Sequence, residues 1–140
     1  MDRKEFLSQI GLGSAGMFLF SCLGGCSKTA GGNVAQAPSN VNLTVDITSS
    51  AYSALQTNGG YVYVNGIIIA KTTTGNYLAV SQACTHQGAT VVFESNSSMF
   101  YCPSHGSMFN ANGSVANGPA SAPLKQYTVT ANGNVLTITG

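Results

Sequence analysis

The arrangement of apolar and polar positions changes character near residue 41. From there the chain alternates, Val41-Asn42-Leu43-Thr44-Val45-Asp46-Ile47, as a strand with one buried face does. Tyr61-Val62-Tyr63-Val64 and Ile67-Ile68-Ile69-Ala70 flank Asn65-Gly66, a pair that tolerates positive φ and so predicts a hairpin. Tyr77–Val80 follows Gly75-Asn76, and Thr90–Phe93 and Met99–Tyr101 are two further short runs. Gln126–Thr130 and Val135–Ile138 flank Asn132-Gly133-Asn134 and predict a second hairpin. No segment after residue 41 has a convincing helical period, and residues 49–57 are the best candidate for a short helical turn. The pattern predicts an antiparallel all-β domain over residues 41–140.

Before residue 41 the pattern is different. Asp2-Arg3-Lys4-Glu5 is charged, while residues 10–25 carry no charge and are largely apolar or small. That run is short of the ~20 residues of a comfortable membrane span. A charged start, a short apolar stretch and small residues at its end predict an export signal over residues 1–25. A buried N-terminal helix fits less well, because the run is rich in glycine, a poor helix former. Leu23-Gly24-Gly25-Cys26 resembles the lipobox of bacterial lipoproteins, where the signal is cut before a Cys that then takes a diacylglycerol. On this chain that residue is Cys26, since Phe20-Ser21 suits Cys22 less well. Asp2-Arg3-Lys4-Glu5-Phe6-Leu7 also looks like a twin-arginine export signal with Lys4 in place of the second Arg, which leaves the export route open. Residues 27–40 are polar and small, with Pro and Gly, and read as a flexible tether behind the lipidated Cys26.

Composition narrows the function. Charged residues make up 6% of the chain, with a formal net charge of +1, against about 25% in average usage. Ser, Thr, Asn, Gln and 17 Gly take their place, as in a turn-rich β protein. No run of Lys or Arg follows the N-terminus, which argues against nucleic acid as a partner. It argues equally against strong electrostatic steering toward any partner.

Two segments carry chemistry, Cys84-Thr85-His86-Gln87-Gly88 and Cys102-Pro103-Ser104-His105-Gly106-Ser107. They read C-x-H and C-x-x-H with fifteen residues between His86 and Cys102. Each offers one thiolate and one imidazole, the inventory of a [2Fe–2S] cluster with Cys on one iron and His on the other. Both histidines of the chain lie here, and once Cys22 and Cys26 are set aside so do both remaining cysteines. Gly88 and Gly106 would let the backbone pass close to a cluster, and Pro103 would stiffen the second loop. Two other chemistries stay open. A Cys₂His₂ zinc site fits the residue types but not the usual ligand spacing. A redox disulfide between Cys84 and Cys102 leaves both histidines unexplained, and a purely structural role would have to explain all four residues at once.

Over roughly residues 60–139 the chain resembles the Rieske iron–sulfur family. The resemblance rests on both ligand loops, the continuation Gly106-Ser107-Met108-Phe109, the turn at Asn112-Gly113, and Gly118-Pro119-Ala120 with Leu124. The last group looks like the family's proline-containing third loop, which covers the cluster. The resemblance implies an antiparallel β-sandwich with a small cluster-binding subdomain built from two loops. It implies a Rieske-type [2Fe–2S] cofactor on Cys84, His86, Cys102 and His105. Respiratory and photosynthetic members have an extra Cys in each ligand loop, joined as a disulfide, where this chain has Ala89 and Ser104. They also place a Tyr where this chain has Phe109, but share Ser107. The family's Ser and Tyr hydroxyls both bond to sulfur and raise the potential, so an intermediate potential is expected here. The expected function is a one-electron carrier or redox subunit without a catalytic site of its own. It would be anchored through Cys26, facing the periplasm, with a c-type cytochrome, a quinol-oxidising complex or an oxidase as partner. The alternatives are the ferredoxin component of a ring-hydroxylating dioxygenase and a non-redox module with a zinc site.

Overall fold

The computed structural model describes residues 36–140. The expected export signal, Cys26 and most of the tether lie outside the described residues. Ten strands follow in order: β1 (Asn42–Asp46), β2 (Tyr61–Val64), β3 (Ile67–Lys71), β4 (Tyr77–Ser81), β5 (Val92–Glu94), β6 (Met99–Tyr101), β7 (Met108–Phe109), β8 (Val115–Asn117), β9 (Gln126–Asn132) and β10 (Val135–Thr139). The turn expected at 49–57 is a 3₁₀ helix, Ser50–Gln56, whose Leu55 is buried. Every strand pair is antiparallel.

Six strands join in the order β1-β10-β9-β4-β3-β2, and four in the order β5-β6-β7-β8. Strand β9 serves two partners. Its first residues, Gln126 and Tyr127, pair with Val80 and Ala79 of β4, and Thr128 to Asn132 pair with β10. The six strands therefore act as two halves, β1-β10-β9 and β4-β3-β2, hinged along β9. One apolar cluster lies inside them and includes Val45, Leu55, Ile67, Ile69, Ala79, Tyr127, Leu136 and Ile138. A second cluster holds Ile68, Ala70, Val80 and Val91 with Phe93, Phe100, Phe109, Leu124 and both Cys84 and Cys102.

Those two clusters explain the one run that does not alternate. Ile67 and Ile69 face the first core and Ile68 and Ala70 the second, so β3 is buried on both faces from Ile67 to Ala70 and all four of those positions are apolar. Strand β1, in contrast, has one buried face. Val45 is inside while Asn42, Thr44 and Asp46 are exposed.

The strand pattern differs from the sequence reading in two places. The strand expected from Thr90 starts at Val92, because Ala83 bridges Thr90 and the Val91 N–H donates to Gln82 O at 2.9 Å. That pairing closes the first ligand loop instead of extending β5. Strands β7 and β8 were not expected. They have two and three residues, too short to carry a period.

Candidate metal centre

Strand β4 leads into Cys84 and strand β6 into Cys102, and the two loops that follow are closed by the same hydrogen bonds. In the first, the Cys84 N–H donates to Ala89 O at 2.7 Å and the Gly88 N–H to Cys84 O at 2.7 Å. In the second, the Cys102 N–H donates to Ser107 O at 2.8 Å and the Gly106 N–H to Cys102 O at 2.9 Å. Each turn needs a left-handed residue, supplied by Gly88 (φ 78°) and Gly106 (φ 83°). A Cβ built on Gly106 meets no protein atom within 4 Å. Among protein atoms, then, backbone conformation rather than lack of room calls for glycine there.

The loops sort their donors by depth. Cys84 is fully buried and Cys102 is 1% exposed, and both are free thiols. His86 is half-buried and His105 exposed. The two imidazoles meet edge to face, with Nδ1 atoms 3.3 Å apart and ring centroids 4.8 Å apart. Burial pushes the Cys84 thiol up, and the neighbouring Cys102 thiol adds to this. The backbone N–H of His86 and the Ser107 hydroxyl act in the opposite direction, as donors to a thiolate do. Among the described residues, no three His, Cys, Asp or Glu side chains gather as a single ion would need. The donors form an inner thiol pair and an outer imidazole pair, a set that could hold a two-iron cluster.

The remaining residues singled out in the sequence take varied places. Ser107 is fully buried, and its Oγ accepts the Ala120 N–H at 3.0 Å. Phe109 is fully buried in the second core, opposite Phe100 in the strand register. Pro103 is exposed at the tip, as are Gly118 and Pro119, which open the third loop. The turn at Asn112-Gly113 supports that loop from below. The Leu124 N–H donates to Gly113 O at 2.8 Å, and a Cβ on Gly113 would lie 2.5 Å from Leu124 O.

Thr85 was missed in the sequence. Its Oγ1 donates to Ala122 O at 2.6 Å, so the third loop is fastened to the first ligand loop through Thr85 and to the second through Ser107. No sequence signal points to it, because its partner is a backbone carbonyl 37 residues away.

Residues 44–128 match the family model of the Rieske [2Fe-2S] domain. The cytochrome b6-f complex iron-sulfur subunit of Chlorobaculum tepidum is 36% identical over 69 residues, 49% of this chain and 38% of that protein. The chain thus spans less than half the length of that relative. The corresponding subunit of Prochlorococcus marinus is 28% identical over 137 residues, 89% of this chain and 76% of the relative. Among solved structures, the cyanobacterial plasma membrane Rieske protein PetC3 from Synechocystis is similar with a TM-score of 0.54 at 27% identity, over 71% of this chain and 99% of that one. The ferredoxin of carbazole 1,9a-dioxygenase from Nocardioides aromaticivorans shares the fold, with a TM-score of 0.55 at 20% identity, over 73% of this chain and 98% of that one.

Proposed function

Because the chain belongs to the Rieske [2Fe–2S] family, we propose that it is a one-electron carrier or redox subunit at the outer face of a bacterial membrane, with Cys84, His86, Cys102 and His105 as ligands of its Rieske-type cluster. The observation that carries this reading is the sorted donor set, two buried thiols and two facing imidazoles delivered by two loops of one hydrogen-bond design. When bound, the cluster supplies a one-electron couple tuned by hydrogen bonds at its sulfurs. The protein's part is to bury the thiols, to aim the Ser107 hydroxyl toward Cys84, and to keep the histidine edges at the surface where an electron can leave.

The membrane assignment rests on the export signal and on Cys26 as lipid attachment site. The relatives support it, being cytochrome b6-f complex subunits and a plasma membrane Rieske protein. No helix among the described residues is long and apolar enough to cross a membrane. Lipid on Cys26, with the chain behind it as tether, would hold the domain there. The relatives also favour a quinol-oxidising complex and its cytochrome as partners. A dioxygenase ferredoxin is the second reading, favoured by Ala89 and Ser104 in place of disulfide cysteines and by the shared ferredoxin fold. Cell fractionation separates the two, since a lipidated carrier sediments with membranes and a dioxygenase ferredoxin does not.

The central test is spectroscopic. Iron-replete purified protein is expected to absorb visible light and to give a rhombic EPR signal on reduction. Its absence refutes the carrier reading and returns the site to zinc, which is colourless. Metabolic lipid labelling tests the anchor. Cys22→Ala is expected to keep its label and Cys26→Ala to lose it.

A further inference from the structure

The two ligand loops are carried differently. The second joins β6 to β7, neighbours in the four-stranded sheet, and its roots are paired in register, Tyr101 opposite Met108. The first leaves β4 of the six-stranded sheet and returns into β5 of the four-stranded one. Hydrogen bonds inside each loop set its shape. The position of the first loop against the second depends on how its two roots are held. That position is tightly set, since the Nδ1 atoms of His86 and His105 stand 3.3 Å apart.

Both roots are held by one hairpin. At the outgoing root, the Gln82 N–H donates to the carbonyl of Gly66, in the turn between β2 and β3, at 3.0 Å. At the returning root, the Tyr63 hydroxyl on β2 donates to Val91 O at 2.7 Å, across 28 residues of chain. The Val91 N–H donates to Gln82 O at 2.9 Å and ties the two roots together. Val91 is fully buried in the apolar cluster that contains Cys84 and Cys102, and β5 begins at the next residue. The Tyr63 bond therefore crosses from the edge strand of one sheet to the start of the edge strand of the other.

Tyr63 is better suited to that bond than to packing. Opposite it in the register is Ile68 of the second core, and its ring meets the Tyr61 ring edge to face at 5.7 Å. Yet Tyr63 is 42% exposed, the one exposed large hydrophobic residue among the described residues. Its hydroxyl satisfies a buried carbonyl that would otherwise cost its full desolvation. Burial, with a smaller contribution from Tyr61, raises the pKa of this phenol, so it keeps the proton it donates.

We propose that Tyr63 is a positioning residue of the metal centre. Through Val91 O it fixes the root of the first ligand loop, and with it Cys84 and His86, against the loop that carries Cys102 and His105. This rests on the assignment of those four residues as ligands. Tyr63 lies outside both loops and acts through Val91 and Gln82, whereas Thr85 and Ser107 join the loops through Ala122 and Ala120.

The test removes one hydroxyl from the full-length protein. Tyr63→Phe keeps the ring and loses the donor, and Tyr77→Phe is the control. The Tyr77 hydroxyl donates to Leu55 O at 3.4 Å, at the end of β4 remote from Cys84. Hydrogen exchange read by mass spectrometry is expected to quicken about fivefold in residues 82–91 of Tyr63→Phe, the effect of one hydrogen bond of ordinary net strength. Residues 101–108 should exchange as in wild type. The loaded variant is expected to keep its iron but to release it to a chelator about fivefold faster. On reduction it should give a broadened rhombic EPR signal, from a spread of His86 geometries. Tyr77→Phe should match wild type in all three readouts. Equal quickening in both loops, or none in the first, would overturn the positioning role. So would an EPR signal of wild-type width. A Tyr63→Phe chain that fails to fold would also overturn it, since the bond would then hold the whole domain. The exchange pattern needs no cluster. Wild type without iron or EPR signal would therefore remove the ligand assignment, and the centre with it, while exchange still decides whether Tyr63 holds the loop.

Discussion

In the base of the molecule, formed by β1–β4, β9 and β10, a residue's place is set by which face of a strand is buried. At the tip, in the two ligand loops at 84–89 and 102–107 and again at 118–123, it is set by bonds to single atoms. Ile67, Ile69, Leu136 and Ile138 are interchangeable in kind, all fully buried aliphatics in one core. Cys84, Gly88, Thr85 and Ser107 are not interchangeable. Each is held by hydrogen bonds to particular backbone atoms: Cys84 to Ala89 and Gly88, Thr85 to Ala122, and the Ser107 hydroxyl to Ala120. Apolar packing tolerates substitution of similar volume, whereas a buried polar group left unpaired costs its full desolvation. A fold can therefore drift in its base while its tip keeps its chemistry.

The hardest way to break this comparison is to remove a proposed ligand. Cys84→Ser, Cys102→Ser, His86→Ala and His105→Ala are each expected to abolish cluster binding, read as iron content and visible absorption. The base should survive. In hydrogen exchange, amides of β1, β9 and β10 are expected to keep their protection while those of the two loops lose it. Loss of protection throughout would mean that the cluster holds the whole domain together.

A smaller effect separates the two cores. Ile69→Ala and Ile68→Ala should each cost about 2–5 kcal/mol, measured by denaturant unfolding. Only Ile68 packs in the cluster of residues that contains Cys84 and Cys102. Ile68→Ala is therefore expected also to shorten the lifetime of the bound cluster, and Ile69→Ala to leave it unchanged at temperatures where both are folded. Equal lifetimes would show that the two cores are mechanically one.

These contrasts explain what could be read from the sequence. The strands of the base were legible because alternation and the Asn65-Gly66 pair are local signals, and Asn65 and Gly66 do take positive φ, 49° and 84°. The residues of the proposed centre were legible because Cys and His are scarce here and fall into two spaced motifs. Double-sided burial of β3 was not legible, since a fully apolar run has no period to interpret. Nor were β7 and β8, or the Thr85 to Ala122 contact, which exist only once distant loops have met. The tether shows the same limit at its near end. Pro38 O accepts from both Tyr127 OH, at 2.7 Å, and Lys125 Nζ, so the chain is fastened before β1 begins, where composition suggested freedom. Tyr127→Phe is expected to cost about 1 kcal/mol and to speed exchange of the Val41 and Gly140 amides, which bond each other's carbonyls.

The finest adjustment concerns potential. Ser107 is buried, and by accepting the Ala120 N–H its oxygen is oriented so that its own proton is free for the Cys84 sulfur. A hydrogen bond to sulfur stabilises the reduced state more than the oxidised one, because the sulfur carries more negative charge after the electron arrives. Ser107→Ala should therefore lower the potential. A differential of about 1.4 kcal/mol would correspond to a fall of roughly 60 mV for one electron. The same substitution leaves the Ala120 N–H without its acceptor, which should cost about 1–3 kcal/mol in unfolding experiments. Those two losses have different causes and can be told apart. Phe109→Tyr offers the opposite change without touching Ala120. If its hydroxyl reaches the Cys84 sulfur, the potential rises; if it does not, a buried unpaired hydroxyl lowers stability alone. Protein-film voltammetry paired with denaturation on both variants decides each case. An unchanged potential in Ser107→Ala with its cluster intact would mean that the Ser107 hydroxyl serves Ala120 and the third loop, and that the tip tunes its potential by burial instead.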